Sequence, residues 1–232
     1  MTKTSWHASY GDLVGEKGHY YHQTVILPNV LRLLKGATSV LDMGCGNGVL
    51  SHHLPKTVFY TGVDASKSLL PKQKNFLLAD CTKPLPLEKK DFDAACFILS
   101  LQNMEDGKAA VEQASKHLKP GGKLLLVLNH PCFRIPRQSD WGYDEQTKRV
   151  YRRVHHYMSP LKIPIAMQPS KKEKSEMTYS FHHPLCVYAS WLKSIIAIEE
   201  WCSDKKSEGG RAKAEDRARK EIPLFLAILG QI

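Results

Sequence analysis

Short apolar runs bounded by glycine, proline and charged residues recur through the first half of the chain. They fall at residues 39–42 (SVLD), 57–64 (TVFYTGVD), 75–80 (NFLLAD), 92–100 (FDAACFILS) and 123–128 (KLLLVL). Runs of this length, rich in β-branched and aromatic residues, predict strands, and near-continuous hydrophobicity predicts burial on both faces, as in a parallel sheet. Helical spacing alternates with them. Val25, Ile26, Val30, Leu33 and Leu34 make one apolar face over residues 20–34, with Gly36 as a stop. Residues 47–54 predict the next helix, and Asp106 caps another whose buried stripe is Ala110, Val111, Ala114 and Leu118. The rhythm returns late: Leu185, Tyr188, Trp191, Leu192 and Ile195 at helical spacing, strands over 196–201 and 222–229, and a charged connection with a helix over 211–220. This is the pattern of an α/β fold.

Between Asn129 and His183 the alternation stops for some 55 residues, a length typical of a lid or binding insertion within one domain spanning 1–232. Only 149–157 (RVYRRVHHY) and 178–181 (TYSF) read as extended there, and 169–176 (PSKKEKSE) reads as an exposed tip. The formal charge of +10 is concentrated in this insertion. Ten Lys and Arg stand against five acids between Asn129 and Glu176, so the segment carries +5. That excess permits an anionic partner and does not demand one; a solvated basic face is the plainer reading. Six cysteines scattered singly suit a reducing compartment, and the polar start MTKTSWHASYGD lacks the build of a signal peptide, so a cytoplasmic protein without a membrane span is expected. The pattern sets no oligomeric state.

The strongest chemical signal is VLDMGCGNGVL at 40–50. Asp42 closes a strand and Gly44, Gly46 and Gly48 follow at two-residue spacing, which lets a ligand lie against bare backbone. A dinucleotide fingerprint would need glycine at 49, where Val49 stands, so nicotinamide and flavin cofactors are disfavoured. The second strand ends in Asp64, 20 residues after Gly44, where an acid can accept from both hydroxyls of a ribose. The third ends in Asp80 and Cys81. Three strand ends thus converge on one edge.

VLDMGCGNG (40–48), GVDAS (62–66), LLADC (77–81), FDAACFILSLQNM (92–104) and HLKPGGKLLLVL (117–128) resemble, in order, the motifs of class I S-adenosylmethionine-dependent methyltransferases of the methyltransferase-11-like group, which includes quinone-biosynthesis enzymes. The resemblance implies a Rossmann-like seven-stranded sheet of order 3-2-1-4-5-7-6 with an antiparallel last strand, and S-adenosyl-L-methionine as cofactor. It assigns the methionine moiety to the loop holding Gly44, Cys45, Gly46 and Gly48, with Asp42 beside it, and the ribose to Asp64 with Ala65 next to it. It assigns the adenine amino group to Asp80 with the Cys81 backbone, and sets Leu99 and Ser100, followed by Leu101, under the sulfonium. Tyr10, Gly18, Tyr20, Tyr21 and His22 precede or open a helix that folds over the cofactor in related enzymes. The link from Asp64 to Asn75 departs from the pattern: it is short and holds Pro71, so its helix must be stunted.

NHPCFR (129–134) leaves the fifth strand. The Asn/Asp-Pro-Pro-aromatic motif of amino-directed methyltransferases belongs at the end of the fourth, where Ser100-Leu101-Gln102-Asn103 stands instead. His130 is therefore the candidate general base, with the pairs His155-His156 and His182-His183 behind it. A metal site from His130, Cys132 and these pairs would need several loops to converge. Trp141, Tyr143, Tyr151, Tyr157, Tyr179 and Phe181 can wall an acceptor pocket, and Arg134, Arg137, Arg152 and Arg153 can bind an acidic acceptor. The expected activity is methyl transfer to a small molecule, with oxygen favoured. Two alternatives remain: an RNA or protein methyltransferase gripping through the basic insertion, and a non-catalytic cofactor-binding module.

Overall fold

The computed structural model describes residues 18–166 and 177–231. Tyr10 and the PSKKEKSE tip lie outside the described residues. The main sheet contains β1 (Ser39–Met43), β2 (Phe59–Asp64), β3 (Phe76–Leu78), β4 (Phe92–Ile98), β5 (Leu118–Asn129), β10 (Ser194–Trp201) and β11 (Phe225–Gln231). Its order is β3-β2-β1-β4-β5-β11-β10, with β11 antiparallel to both neighbours. Counted within the sheet alone, this is the expected 3-2-1-4-5-7-6.

Strand parity divides the core. Val40, Ala94, Cys96, Leu125, Val127, Phe225 and Ala227 face α1 (Leu27–Leu33), together with Tyr60. Their neighbours Leu41, Ala95, Phe97, Leu124, Leu126, Leu226 and Ile228 face α2 (Gly107–Lys116) and the α3 segment (Leu185–Ser190). The period of two in each strand thus supplies both layers. Asp106 caps α2 by accepting from Ala109 N at 2.9 Å. α4 (Ala212–Glu221) lies in the connection from β10 to β11.

The first helix differs from expectation. Residues His22–Ile26 form a π turn that leads into α1. Pro28 explains this: it has no N–H and its ring collides with the carbonyl four residues back, so the wider turn, closed by Leu27 N donating to His22 O, fits where a regular one does not. The helix expected over 47–54 is a 3-10 turn, Val49–His52, with Pro55 just beyond. Between β2 and β3 the chain makes only turns, as Pro71 and the short link require. Residues 119–122 bulge from β5, since Phe92 pairs with Leu118 and Ala94 with Lys123.

The insertion is built of two hairpins. β6 (Ser139–Asp144) pairs with β7 (Arg149–Val154), and β8 (Leu161–Ala166) with β9 (Met177–His182). The sequence pattern marked β7 and β9 and missed their partners, because Gly142 and Pro164 interrupt the strand signal. Among the described residues no helix is long and apolar enough to cross a membrane.

Leu125 is fully enclosed in the central strand. Leu125→Ala is expected to lower unfolding stability by about 2–5 kcal/mol in urea titrations. Ile196→Ala, on the half-exposed edge strand, is expected to change it by about 0.5 kcal/mol or less.

Candidate active site

β1 enters the loop through a run of left-handed residues: Gly44 (φ +75°), Gly46 (φ +56°) and Gly48 (φ +73°). Side chains at two of them have no room. A Cβ at Gly44 would lie 2.5 Å from Ser100 Cβ, and one at Gly48 would lie 2.5 Å from the Phe76 ring. Gly44 N and Cys45 N both donate to Val63 O, at 2.7 and 3.0 Å, which hooks the loop onto β2. Asp64 completes the hook, its Oδ2 accepting from Gly46 N and its Oδ1 from Ser66 N, both at 2.8 Å. Ser100 Oγ donates to Met43 O at 2.6 Å and holds the end of β4 against the loop.

Asp42 lies beneath this cradle, buried, accepting from Tyr60 OH at 2.9 Å. Burial pushes its carboxyl up to about 7, against the opposing effect of the Tyr60 and Cys96 hydrogen bonds. Burial likewise raises Asp64, opposed by backbone N–H donors from Ser66, Gly46 and Ala65. Asp80 is exposed, its Oδ1 accepting from Thr82 N and Oγ1, and Ala65 is exposed beside Asp64. Cys81 is buried, its thiol 3.8 Å from Val63 O and pushed up to about 12 by burial. Burial holds the Cys45 thiol well above its ordinary range too, so both cysteines pack as thiols. Leu99 takes φ +54°, a conformation few side chains adopt, at the point where β4 gives way to the turn Leu101–Asn103.

The N-terminal segment closes one side. Gly18 lies against Val49, just behind the glycine loop, and Tyr21 packs edge-on against Phe225, with ring centroids 5.9 Å apart. This segment therefore spans from the loop to the start of β11. His22 is buried beside it, with no hydrogen-bond partner at Nδ1, and burial lowers it to about 4.

His130 has a different setting from the one the sequence suggested. Its side chain is fully enclosed, Nε2 lies 2.7 Å from Glu200 Oε1 on β10, and Nδ1 accepts from Cys132 N at 3.2 Å. Both ring nitrogens are engaged. Of the two histidine pairs, His182 Nε2 lies 2.8 Å from Tyr157 O and His183 packs against Trp191, while His155 and His156 are exposed. Tyr157 accepts from Leu185 N at 3.1 Å. Trp141 and Tyr143 line a cavity of about 260 Å³ between the β6–β7 hairpin and α4, with Arg211 and Arg219. Those arginines are paired within the chain, Arg211 with Glu145 at 2.7 Å and Arg219 with Glu215 at 3.7 Å.

Residues 41–126 match a family described as "Methyltransferase domain". The chain is 35% identical over 165 residues to a Ubiquinone biosynthesis O-methyltransferase of Coxiella burnetii, covering 66% of this chain and 70% of that protein. The chain belongs to the S-adenosylmethionine-dependent methyltransferases. This methyltransferase is also 31% identical over 196 residues to the 2-phytyl-1,4-naphtoquinone methyltransferase of Trichormus variabilis, covering 72% of this chain and 82% of that one. Its fold is shared with an S-adenosylmethionine dependent methyltransferase from Mesorhizobium loti, with a TM-score of 0.65 and 22% identity over 94% of this chain and 100% of the other. Its cofactor is S-adenosyl-L-methionine. The methyltransferase's cradle fits that molecule: the loop is open at Gly46, where a Cβ would meet only Leu69 Cδ1 at 4.0 Å, and the Asp64 carboxylate stands beside it.

Sequence reasoning missed two side chains that shape this cradle, Tyr60, which holds Asp42, and Phe76, which closes against Gly48; Ser100, which the resemblance placed under the sulfonium, also bonds the β1 backbone. Tyr60 and Phe76 carried no signal beyond that of any strand aromatic.

Gly48→Ala is expected to weaken S-adenosyl-L-methionine binding at least tenfold by calorimetry. Gly36→Ala shares the left-handed backbone (φ +88°) but meets nothing within 4 Å; it should cost about 1–2 kcal/mol of strain and leave affinity unchanged. The raised Asp42 carboxyl keeps its proton in the folded chain from about pH 4 to 7, where the unfolded chain has lost it. Its contribution is therefore fully present at low pH and is lost as pH rises through about 7. Urea midpoints should show wild type losing stability relative to Asp42→Asn as pH rises from 4 to 8; parallel profiles would refute the buried, protonated carboxyl.

Proposed function

We propose that this methyltransferase transfers the methyl group to an oxygen of a small-molecule acceptor. The observation that carries the reading is the 35% identity to an O-methyltransferase of ubiquinone biosynthesis, over two thirds of the chain. The second quinone-directed relative, methylating 2-phytyl-1,4-naphthoquinone by name, supports the aromatic character of the acceptor. The exit of β4 agrees with it. Ser100-Leu101-Gln102-Asn103 forms a 3-10 turn without the Asn/Asp-Pro-Pro-aromatic wall that would hold a target amine.

When bound, S-adenosyl-L-methionine supplies an activated methyl group on a sulfonium. The chain's own task is alignment and exclusion of water. In this reading the backbone at Gly44, Cys45, Gly46 and Gly48 cradles the amino-acid end, with Asp42 beneath keeping the loop in place through Tyr60. Asp64 accepts from the ribose hydroxyls with its remaining lone pairs while keeping its Gly46 and Ser66 N–H partners. Asp80 and the Cys81 backbone meet the adenine, bordered by Ala65. Leu99 and Ser100 form the floor between cofactor and acceptor, and Tyr21 closes over them from the N-terminal segment. His130 acts as a positioning residue: with Glu200 and the Cys132 amide engaging its two ring nitrogens, it pins the exit of β5 to β10. The proton of the attacking hydroxyl leaves to solvent or to a group outside the described residues.

The nucleic-acid alternative has less support. Arg153 is forked by Asp140, Lys162 meets Glu105 at 2.7 Å and Lys148 meets Glu145 at 3.3 Å, so much of the insertion's charge is neutralised within the chain.

The test is transfer of labelled methyl from S-adenosyl-L-methionine to a panel of catechols, hydroquinols and anilines, with products identified by mass spectrometry. O-methylated catechols or hydroquinols are expected; label confined to amines or to RNA would reject the reading. His130→Gln is expected to keep kcat's pH dependence in shape while lowering thermal stability, and loss of the acidic limb, where kcat falls as the imidazole takes up a proton, would restore His130 as the base.

A further inference from the structure

The residues after β5 fold straight back on themselves. Phe133 N and Arg134 N both donate to His130 O, at 3.1 and 2.8 Å, and the turn sets the Arg134 guanidinium 5.1 Å from the centre of the Phe225 ring at the start of β11. Arg134 is partly buried there, and burial lowers its pKa. Its hydrogen bonding is poor: NH1 donates to Leu224 O at 3.4 Å, a long bond for a group with five donors. Among the described residues no carboxylate lies within ion-pair distance of it.

Of the other three arginines, Arg137 is exposed to solvent and Arg152 and Arg153 are satisfied within the chain. Arg153 forks Asp140 at 3.0 and 2.8 Å, and Arg152 is tied to Phe133 O and to Ser139 O and Oγ while covering Trp141. Arg134 stands apart from both. A second cation without a carboxylate partner among the described residues, Lys205, lies over the Tyr20 and Tyr21 rings at 5.5 and 5.7 Å, and Tyr21 meets the same Phe225 that carries Arg134. The two charges together are felt by His19, whose protonation both disfavour. Two uncompensated cations therefore flank two aromatic faces at the carboxyl edge of the sheet, on the segment that runs back to the glycine loop. Withdrawing a guanidinium from water without an anion is costly, and its planar fork matches a carboxylate.

We propose that Arg134 is the specificity-determining residue for the methyl acceptor, binding a carboxylate on an aromatic acceptor ring that lies beside the touching Tyr21 and Phe225 rings, with Lys205 adding to the field. The proposal rests on the O-methylation reading for what happens to that acceptor, and on the geometry around Arg134 alone for the anion. It singles out one arginine among the four that the sequence offered.

The experiment compares 3,4-dihydroxybenzoate with catechol, which differ in the carboxylate alone. Wild type is expected to show a KM for the benzoate at least about tenfold below that for catechol. Arg134→Gln should abolish that difference by raising KM for the benzoate more than KM for catechol; Arg134→Lys should retain part of it. The wild-type comparison needs no variant, so a misfolded substitution does not blunt the test. Calorimetry of 3,4-dihydroxybenzoate in the presence of S-adenosylhomocysteine separates the two claims. If neither compound is methylated, the O-methylation reading fails, while benzoate binding that Arg134→Gln abolishes still supports the anion site. No benzoate binding by wild type, equal binding by wild type and Arg134→Gln, or equal KM for the two acceptors would overturn the proposal.

Discussion

The hook between the glycine loop and β2 is the contact on which the site depends. Two consecutive amides, Gly44 N and Cys45 N, converge on the single carbonyl of Val63, and the next amide, Gly46 N, goes to the Asp64 side chain. Convergence of this kind requires the backbone to turn through left-handed conformations, which glycine adopts without penalty. Once turned, the loop is fixed by close neighbours, with Ser100 on one side and Phe76 on the other. Tyr60 serves the same arrangement from below by donating to the buried Asp42. A loop assembled this way is rigid, held by backbone amides and a carboxylate rather than by reactive side chains.

The sheet was legible because its strands are short, apolar and bounded by clear turn residues. Strand parity in residues 124–128 alone assigns alternate leucines and valines to the two layers found in the structure. The loop was legible for a similar reason, since three glycines at two-residue spacing leave little other explanation. What the pattern could not show was helix quality. Pro28 changes a regular helix into a π turn, and Pro55 cuts the expected helix after the loop to one 3-10 turn. Side-chain pairing was also beyond it. His130 stands in sequence at a ligand-facing strand end; its partners, Glu200 and the Cys132 amide, come from a strand 70 residues away and from a tight turn.

The basic insertion shows why formal charge is a poor guide to partners. Its +5 excess is distributed over groups with very different fates: Arg153 and Lys162 paired at the surface, Arg152 consumed by backbone carbonyls, and Arg134 held against an aromatic ring without an acid. Surface pairs of the first kind contribute little to stability, whereas a half-buried guanidinium is costly unless something anionic meets it. The same segment thus holds its cations in very different settings, and only three-dimensional contacts separate them.

The central claim is that S-adenosyl-L-methionine lies along the carboxyl edge of β1, β2 and β4, against the hooked loop. Amide hydrogen exchange with and without S-adenosylhomocysteine tests it most directly. Added protection is expected at residues 44–48, 64–66, 80–82 and 99–101, with the hairpins at 139–154 and 161–182 little changed. Protection confined to those hairpins, or absent along the loop at saturating ligand, would contradict the account.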